Sequence, residues 1–308
     1  MVLLEKLSNN NLTKFKDLSF EKLKTDTYDK NFFQYYESES FFSKILLKRF
    51  VKLFVYNHKI IGYMWYNIPF ENPVKVWSIY VEPQYIELLD DEILSDFDNV
   101  TLFYEEAKGN YNNVLLNKLG FDERRNSYLM SKNLKKSFEL NTPVVDEACI
   151  LNTIKNKYGQ RGDKFNISFK KFVIGNDEKL RCDLQNAIFA DKERIEIEVE
   201  DIENDIKQDY YIDDLSFFLI INDIAVGYGQ VIYNRDMYTV VNFGIIKEFR
   251  KHGLGKILLN YIINQCREKE ISDLYIRVNE NNAPAFNLYK SIGFEYKFTI
   301  SNWQRNRK

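Results

Sequence analysis

The sequence predicts an α+β protein of two similar domains, each a mixed, mostly antiparallel sheet flanked by helices. Length, patterning and repetition carry that reading. At 308 residues the chain is longer than one compact domain and suits two of about 150 residues each. β-branched and aromatic runs alternate with amphipathic stretches through the first half, and the series begins again in the second. Two short segments of the first half then recur, in the same order, in the second.

The first half opens with a helical stretch around Asn11 to Phe42. The runs Phe50 to Tyr56, Ile60 to Tyr66 and Val74 to Val81 are rich in β-branched and aromatic side chains and read as three successive strands. Asn57-His58 and the segment Pro69 to Pro73 between them are turn signals, so the three form a meander. Val100 to Tyr104 is a further strand, and Tyr111 to Leu119 a short helix stopped by Gly120. From Lys132 to Phe165 the pattern weakens to a mix of short helix and polar residues, punctuated by Pro143, Gly159 and Gly162. A linker is therefore expected at 136–165, between a first domain at 1–135 and a second at 166–308.

The second half starts with a strand at Ile167 to Ile174, a helix at Glu178 to Ala190 and an acidic segment at Glu193 to Asp209. Leu215 to Ile221, Ile224 to Ile232 and Tyr238 to Ile246 read as its next three strands. A helix at Gly253 to Lys269, a strand at Asp273 to Val278, a helix at Ala283 to Ser291 and a last strand from Phe294 complete it.

The repetition is specific. Phe54-Val55-Tyr56-Asn57-His58-Lys59-Ile60-Ile61-Gly62-Tyr63 lies without a gap against Leu219-Ile220-Ile221-Asn222-Asp223-Ile224-Ala225-Val226-Gly227-Tyr228, sharing the hairpin Asn and the Gly-Tyr pair. Lys118-Leu119-Gly120-Phe121 matches Ser291-Ile292-Gly293-Phe294. Matches in the same order at nearly the same separation point to a tandem duplication.

Composition bounds the function. Hydrophobic residues make up 45% of the chain and aromatics 16%, enough for each half to bury a core. A net charge of -2 supplies no basic field for a polyanion, so no nucleic-acid partner is expected. No window approaches the roughly 20 apolar residues of a membrane span, and polar residues break the N-terminal apolar stretch; a soluble, cytoplasmic protein is expected. Cys149, Cys182 and Cys266 are odd in number and widely spaced, with only His58 and His252 to join them. Neither a disulfide framework nor a metal site is expected.

The chemistry-bearing motif follows the strand that ends at Ile246. Arg250-Lys251-His252-Gly253-Leu254-Gly255-Lys256 runs directly into the amphipathic series Ile257, Leu258, Tyr261, Ile262 and Cys266, giving strand, glycine-bearing loop and helix start. Glycines admit a ligand close to the backbone, and a helix N-terminus offers unpaired N–H groups and a positive dipole end. Lys247, Arg250, Lys251 and Lys256 add positive charge against Glu248 alone. A pyrophosphate suits that environment, although a plain helix start with exposed lysines looks the same in isolation.

Arg250-x-x-Gly253-x-Gly255 resembles the R/Q-x-x-G-x-G/A pyrophosphate loop of the GNAT superfamily of CoA-dependent N-acyltransferases. Val278, Asn282-Ala283-Pro284-Ala285, Leu288-Tyr289 and Gly293-Phe294 resemble, in order and spacing, that family's V-x-x-x-N-x-x-A-x-x-L-Y-x-x-x-G-F segment. The resemblance implies two tandem GNAT-like domains, with a splay between the fourth and fifth strands of the second holding acetyl-CoA as acyl donor. It further implies that the backbone of Phe243, Gly244 and Ile245 binds the pantetheine arm and polarises the thioester carbonyl. The loop Arg250, Lys251, His252, Gly253, Leu254, Gly255 and Lys256 would hold the pyrophosphate, Asn282 would contact the CoA arm, and Tyr289 would stand near the sulfur as general acid. A phenol stays protonated at neutral pH and can give its proton to a departing thiolate.

A general base is less legible. Tyr238 to Ile246 carries Asn242 where many relatives have a glutamate, and Glu196, Glu198, Glu200, Asp201, Glu203 and Asp205 lie on a segment where the family places acceptor-binding helices. Together those acids favour a cationic primary amine, expected to be a small molecule, attacking directly in a ternary complex. A peptide or protein amine acceptor stays open, as does a non-catalytic acyl-CoA sensor or scaffold. In the first half Ile86, Leu89 and Asp91 stand opposite Arg250, Gly253 and Gly255, and Leu116 opposite Tyr289. Glu87 to Asp98 holds six acids and no base, which repels a phosphate. The first half is thus expected to be a degenerate copy that keeps the scaffold without the site.

Overall fold

A computed structural model describes residues 1–25, 28–67, 73–109, 112–135, 144–159, 165–190 and 195–306. In chain order the elements begin β1 (Leu3–Lys6), α1 (Leu12–Thr25), α2 (Phe32–Ser38), α3 (Phe41–Arg49), β2 (Val51–Tyr56), β3 (Lys59–Tyr66) and β4 (Val74–Val81). Two 3-10 segments, Pro83–Leu88 and Asp91–Phe97, lead to β5 (Leu102–Ala107), α4 (Asn112–Lys118), β6 (Asp122–Glu123) and β7 (Ser127–Asn133). Then come α5 (Glu147–Tyr158), β8 (Ile167–Lys171), α6 (Glu178–Ile188), α7 (Val199–Ile206), β9 (Ser216–Ile221), β10 (Ile224–Asn234) and β11 (Met237–Ile245). A 3-10 turn at Lys247–Phe249, α8 (Leu254–Glu268), β12 (Asp273–Asn279), α9 (Ala283–Ser291) and β13 (Glu295–Arg305) close the chain.

The chain divides into two compact units, one of Met1–Tyr128 with Phe298–Lys308 and one of Leu129–Lys297. This differs from the expected division at 1–135, 136–165 and 166–308 in two places. The end of β13 pairs antiparallel with β5, from Ile300↔Ala107 to Arg305↔Leu102, and so completes the first unit's sheet. There Trp303 is buried and the buried Arg305 donates to the Asp98 carboxylate at 2.6 Å, contacts that bind the strand to that unit. Within the expected linker, residues 147–158 form α5, capped by Asp146 and ended by Gly159 at φ 64, as part of the second unit. The linker's remaining turn signals at Pro143 and Gly162, the Pro69–Phe70–Glu71–Asn72 turn, Tyr111 and Glu193 lie outside the described residues.

In the first unit the strand order is β1-β2-β3-β4-β5-β13, antiparallel except for β4 and β5. The N-terminal helical stretch is three helices, because Asn31 and Ser40 cap new starts by accepting from the N–H groups of Phe33 and Ser43. Apolar side chains cluster as two cores, one around Phe54, Ile79, Leu102 and Trp303 and one around Phe15, Leu53, Tyr63 and Trp65. In the second unit the order is β7-β12-β11-β10-β9-β8, with β11 and β12 parallel. Leu258, Ile262 and Cys266 fall on one face of α8 and are fully buried. Burying each Leu or Ile of such a face contributes about 1.5–3 kcal/mol. The face approaches β10 at glycines: a Cβ on Gly229 would lie 2.8 Å from Ile262 Cδ1, and one on Gly227 3.3 Å from Leu258 Cδ2.

The duplication is visible in the backbone. Asn57 and His58 (φ 47 and 60) and Asn222 and Asp223 (φ 44 and 65) make the same left-handed two-residue turn, and Gly120 and Gly293 both take positive φ after their short helices. The first unit departs where the loop-and-helix motif stands in the second. Two 3-10 segments replace it, Leu89 and Leu94 fill the core, and Leu116, opposite Tyr289, is fully buried.

Candidate active site in the second unit

A break in the β11 ladder creates the site. Tyr228 pairs with Gly244 and Gln230 with Val241, so Asn242 and Phe243 together stand opposite Gly229. Asn242 takes φ 51, a left-handed conformation that Asn tolerates better than most residues. Such a bulge bends its strand, and the parallel register with β12 stops at Val240↔Ile276. Beyond it, 241–245 have no partner on β12 among the described residues. A cavity of about 260 Å³ opens there, lined by Val241, Asn242, Phe243, Asn279, Asn282 and Tyr289, with Phe189 from the end of α6. Glycine is required at 244 by packing, since a Cβ there would meet Ile188 Cγ2 at 2.4 Å.

The loop after β11 presents backbone donors of the kind an anion accepts from. Lys251 and Gly253 take φ 69 and 80, and Gly253 is the N-cap of α8. Among the described residues the N–H groups of Lys251, His252, Gly253, Leu254 and Gly255 donate to no protein acceptor, while Lys256 N–H bonds Gly253 O at 3.0 Å. A run of unpaired donors at the N-terminus of a 15-residue helix concentrates positive potential. Gly255 serves packing, because its Cβ would lie 3.2 Å from Leu288 Cδ2.

Arg250 also has a structural role that the sequence did not announce. Its guanidinium donates to Ile245 O at 2.8 Å and Ile188 O at 2.5 Å. It ties the end of β11 to the end of α6 and thereby holds Phe189 at the cavity. The carbonyls it binds come from residues 5 and 62 positions away, which no local pattern announces.

Tyr289 is buried and lines the cavity from α9. Its ring packs 6.1 Å from that of Phe243 and 6.2 Å from that of Phe294. Burial pushes the phenol above its ordinary value, so it holds its proton throughout the neutral range. Asn282 caps α9, its Oδ1 accepting from Ala285 N–H at 3.2 Å, with Pro284 in the first turn. No carboxylate lines the cavity among the described residues. Of the acids expected to face an acceptor, Asp205 is bound by Arg181, Tyr210 and Gln230, and Glu198 and Asp201 form a capping box. Glu196, Glu200 and Glu203 remain exposed.

Sequence reasoning missed a second cluster beside this loop. The start of α5 places Asp146 and Cys149 against His252, with Cys149 Sγ 3.7 Å from Nε2 and Asp146 Oδ2 3.8 Å from Nδ1. The one signal was the helix start Asp146-x-x-Cys149, which spaces two donors three residues apart.

Comparison with known proteins agrees with this geometry. Residues 183–294 match the acetyltransferase (GNAT) family. The ribosomal protein bS18-alanine N-acetyltransferase of Haemophilus influenzae is 35% identical over 80 residues, 26% of this chain and 54% of that protein. The Escherichia coli K12 enzyme of the same name is 32% identical over 59 residues, 19% of this chain and 40% of that protein. The chain thus spans about half the length of these relatives. A GCN5-related N-acetyltransferase from Sphaerobacter thermophilus superposes over all of this chain and 96% of its own, at TM-score 0.69 and 14% identity. A tandem GNAT protein from the clavulanic acid biosynthesis pathway covers all of this chain and 99% of its own, at TM-score 0.58 and 13% identity. These structures show the fold, and residues 183–294, which lie within the second unit, match the acetyltransferase (GNAT) family.

Proposed function

We propose that the second unit transfers an acetyl group from acetyl-CoA to a primary amine by direct attack in a ternary complex. The observation that carries this reading is the run of unpaired N–H groups from Lys251 to Gly255, on the loop that follows the bulge-opened edge of β11. An anionic pyrophosphate and an extended amide-bearing arm are what those two features suit. In this reading the loop from Arg250 to Lys256 holds the pyrophosphate, and the open edge at Phe243, Gly244 and Ile245 binds the arm and supplies donors to the thioester oxygen. Asn282 stands at the mouth of the cavity as a further contact to the arm.

The amine nitrogen forms a bond to the carbonyl carbon as the C–S bond breaks. Tyr289 gives its phenolic proton to the sulfur, and the ammonium proton leaves to water, since among the described residues no carboxylate lines the cavity to take it. The first unit, with Leu89 and Asp91 at the positions of the loop glycines, is a degenerate copy that shapes the fold and binds no cofactor.

A small-molecule amine is the leading acceptor, favoured by the exposed Glu196, Glu200 and Glu203. The relatives named for acetylating an alanine of a ribosomal protein favour a peptide α-amine as the second reading. Thiol release from acetyl-CoA, measured with polyamines, amino sugars and peptides with free N-termini, separates the two. Release with none of the amines, together with tight acetyl-CoA binding, would replace the enzyme with an acyl-CoA sensor.

A further inference from the structure

We propose that Asp146, Cys149 and His252 form a site for a zinc-type divalent cation that clasps the start of α5 to the loop before α8. The three residues each present one donor atom, and all three atoms lie within 4.8 Å of one another. A thiolate, an imidazole nitrogen and a carboxylate oxygen are a borderline-soft set that selects zinc over magnesium or calcium.

The distances fit. Tetrahedral zinc with bonds of about 2.3 Å to sulfur and about 2.0 Å to nitrogen sets those two atoms about 3.5 Å apart. Cys149 Sγ and His252 Nε2 stand 3.7 Å apart. The carboxylate, within 4.8 Å of the other donors and 3.8 Å from Nδ1, must swing toward Nε2 to complete a tetrahedral face. The Asp146 side chain, 58% exposed, has room to do so.

Two further features hold the donors in place. Asp146 Oδ1 accepts from Cys149 N–H at 3.1 Å, which fixes the first turn of α5 and leaves Oδ2 on the His252 side. Lys157, near the far end of α5, pairs with Glu248 in the turn just before the loop, so the helix is fastened at both ends. Cys149 and His252 are half-buried, close enough to solvent for an ion to enter. Cys182 and Cys266 are buried, and burial pushes the Cys266 thiol up to about 12, so neither competes as a ligand. On binding, the Cys149 thiol loses its proton to solvent as the S–Zn bond forms, and water takes the fourth position. The expectation of no metal site rested on sequence spacing; the fold brings together what that spacing keeps apart.

The test uses the full chain, stripped with a chelator and free of acetyl-CoA, so its outcome is independent of the acyl-transfer reading. Zinc is titrated against a chromophoric chelator, and cobalt(II) is added as a spectroscopic probe. The expected result is one zinc per chain and a thiolate-to-cobalt charge-transfer band, with both lost in Cys149→Ala and in His252→Ala. Asp146→Asn, which keeps the helix cap, should weaken zinc binding at least tenfold while leaving the helix content unchanged. Absence of stoichiometric zinc in the wild type, or a charge-transfer band that survives Cys149→Ala, overturns the proposal. Circular dichroism of each variant distinguishes a lost site from a lost fold.

Discussion

Replacing Tyr289 by Phe isolates one proton. The ring packs against Phe243 and Phe294, contacts that phenylalanine keeps, and the residue lines the cavity. The variant should therefore fold with a melting temperature within about 2 °C of wild type. Acetyl-CoA affinity should also hold, because the proton is used only as the C–S bond breaks. A positioned general acid contributes roughly 10²–10⁴-fold, so kcat should fall at least about 10²-fold, equal to about 2.7 kcal/mol. Burial raises the Tyr289 pKa above its ordinary value near 10. The alkaline limb of the wild-type kcat profile should then appear only above about pH 10. Thiol release at saturating amine, followed from pH 6 to 10.5, reads both quantities. A Phe variant within threefold of wild-type kcat, or a limb ascribable to Tyr289 near pH 8, would remove the residue from the mechanism.

Other consequences follow from the same geometry. Arg250→Met removes two charge-assisted bonds to the Ile245 and Ile188 carbonyls and should cost more than about 2 kcal/mol in urea unfolding; unchanged stability with weakened acetyl-CoA binding would return the guanidinium to a phosphate role. Gly244→Ala puts a Cβ 2.4 Å from Ile188 Cγ2 and should destabilise the second unit by about 1–3 kcal/mol, seen as a lower urea midpoint. The Glu248 carboxyl is held below its ordinary value, chiefly by its hydrogen bond from Lys157. Its folded pKa is thus lower than its unfolded one, so its stabilisation is present above the unfolded value near 4.5 and is lost as pH falls through the folded value. Lys157→Met should flatten that acid dependence in thermal melts between pH 5 and 3, and an unaltered slope would show that the pair contributes nothing.

What was legible in the sequence was what local patterning encodes. The hairpins at Asn57-His58 and Asn222-Asp223, the apolar face of α8 and the Asn282 to Phe294 segment all lie where their residues indicate. β7 escaped because Ser131 and Lys132 are buried in it, and polar residues on an inward face erase the alternation that marks a strand. α5 was legible only as unplaced short helix, because among its described residues only Ile150 and Ile154 are buried, an apolar stripe too thin to bound across a polar segment, although Asp146 and Gly159 mark its ends. The departure of β13 into the first unit rests on pairing with a strand some 200 residues earlier, a long-range choice that periodicity does not carry. At the candidate site, the sequence singled out the loop glycines and Tyr289, and the structure puts Gly253 at the N-cap of α8 and Tyr289 at the cavity. The bulge at Asn242 did not, since one Asn in a strand has many readings until its register is seen.

Titration of the full chain with acetyl-CoA tests the central claim most directly. The account predicts one equivalent per wild-type chain and no saturable binding in Gly253→Asp, where a left-handed backbone position gains a side chain and a negative charge beside the unpaired N–H groups. That change should cost more than about 2 kcal/mol of binding. Two equivalents in the wild type with one retained after Gly253→Asp, or undiminished affinity in the variant, would contradict it.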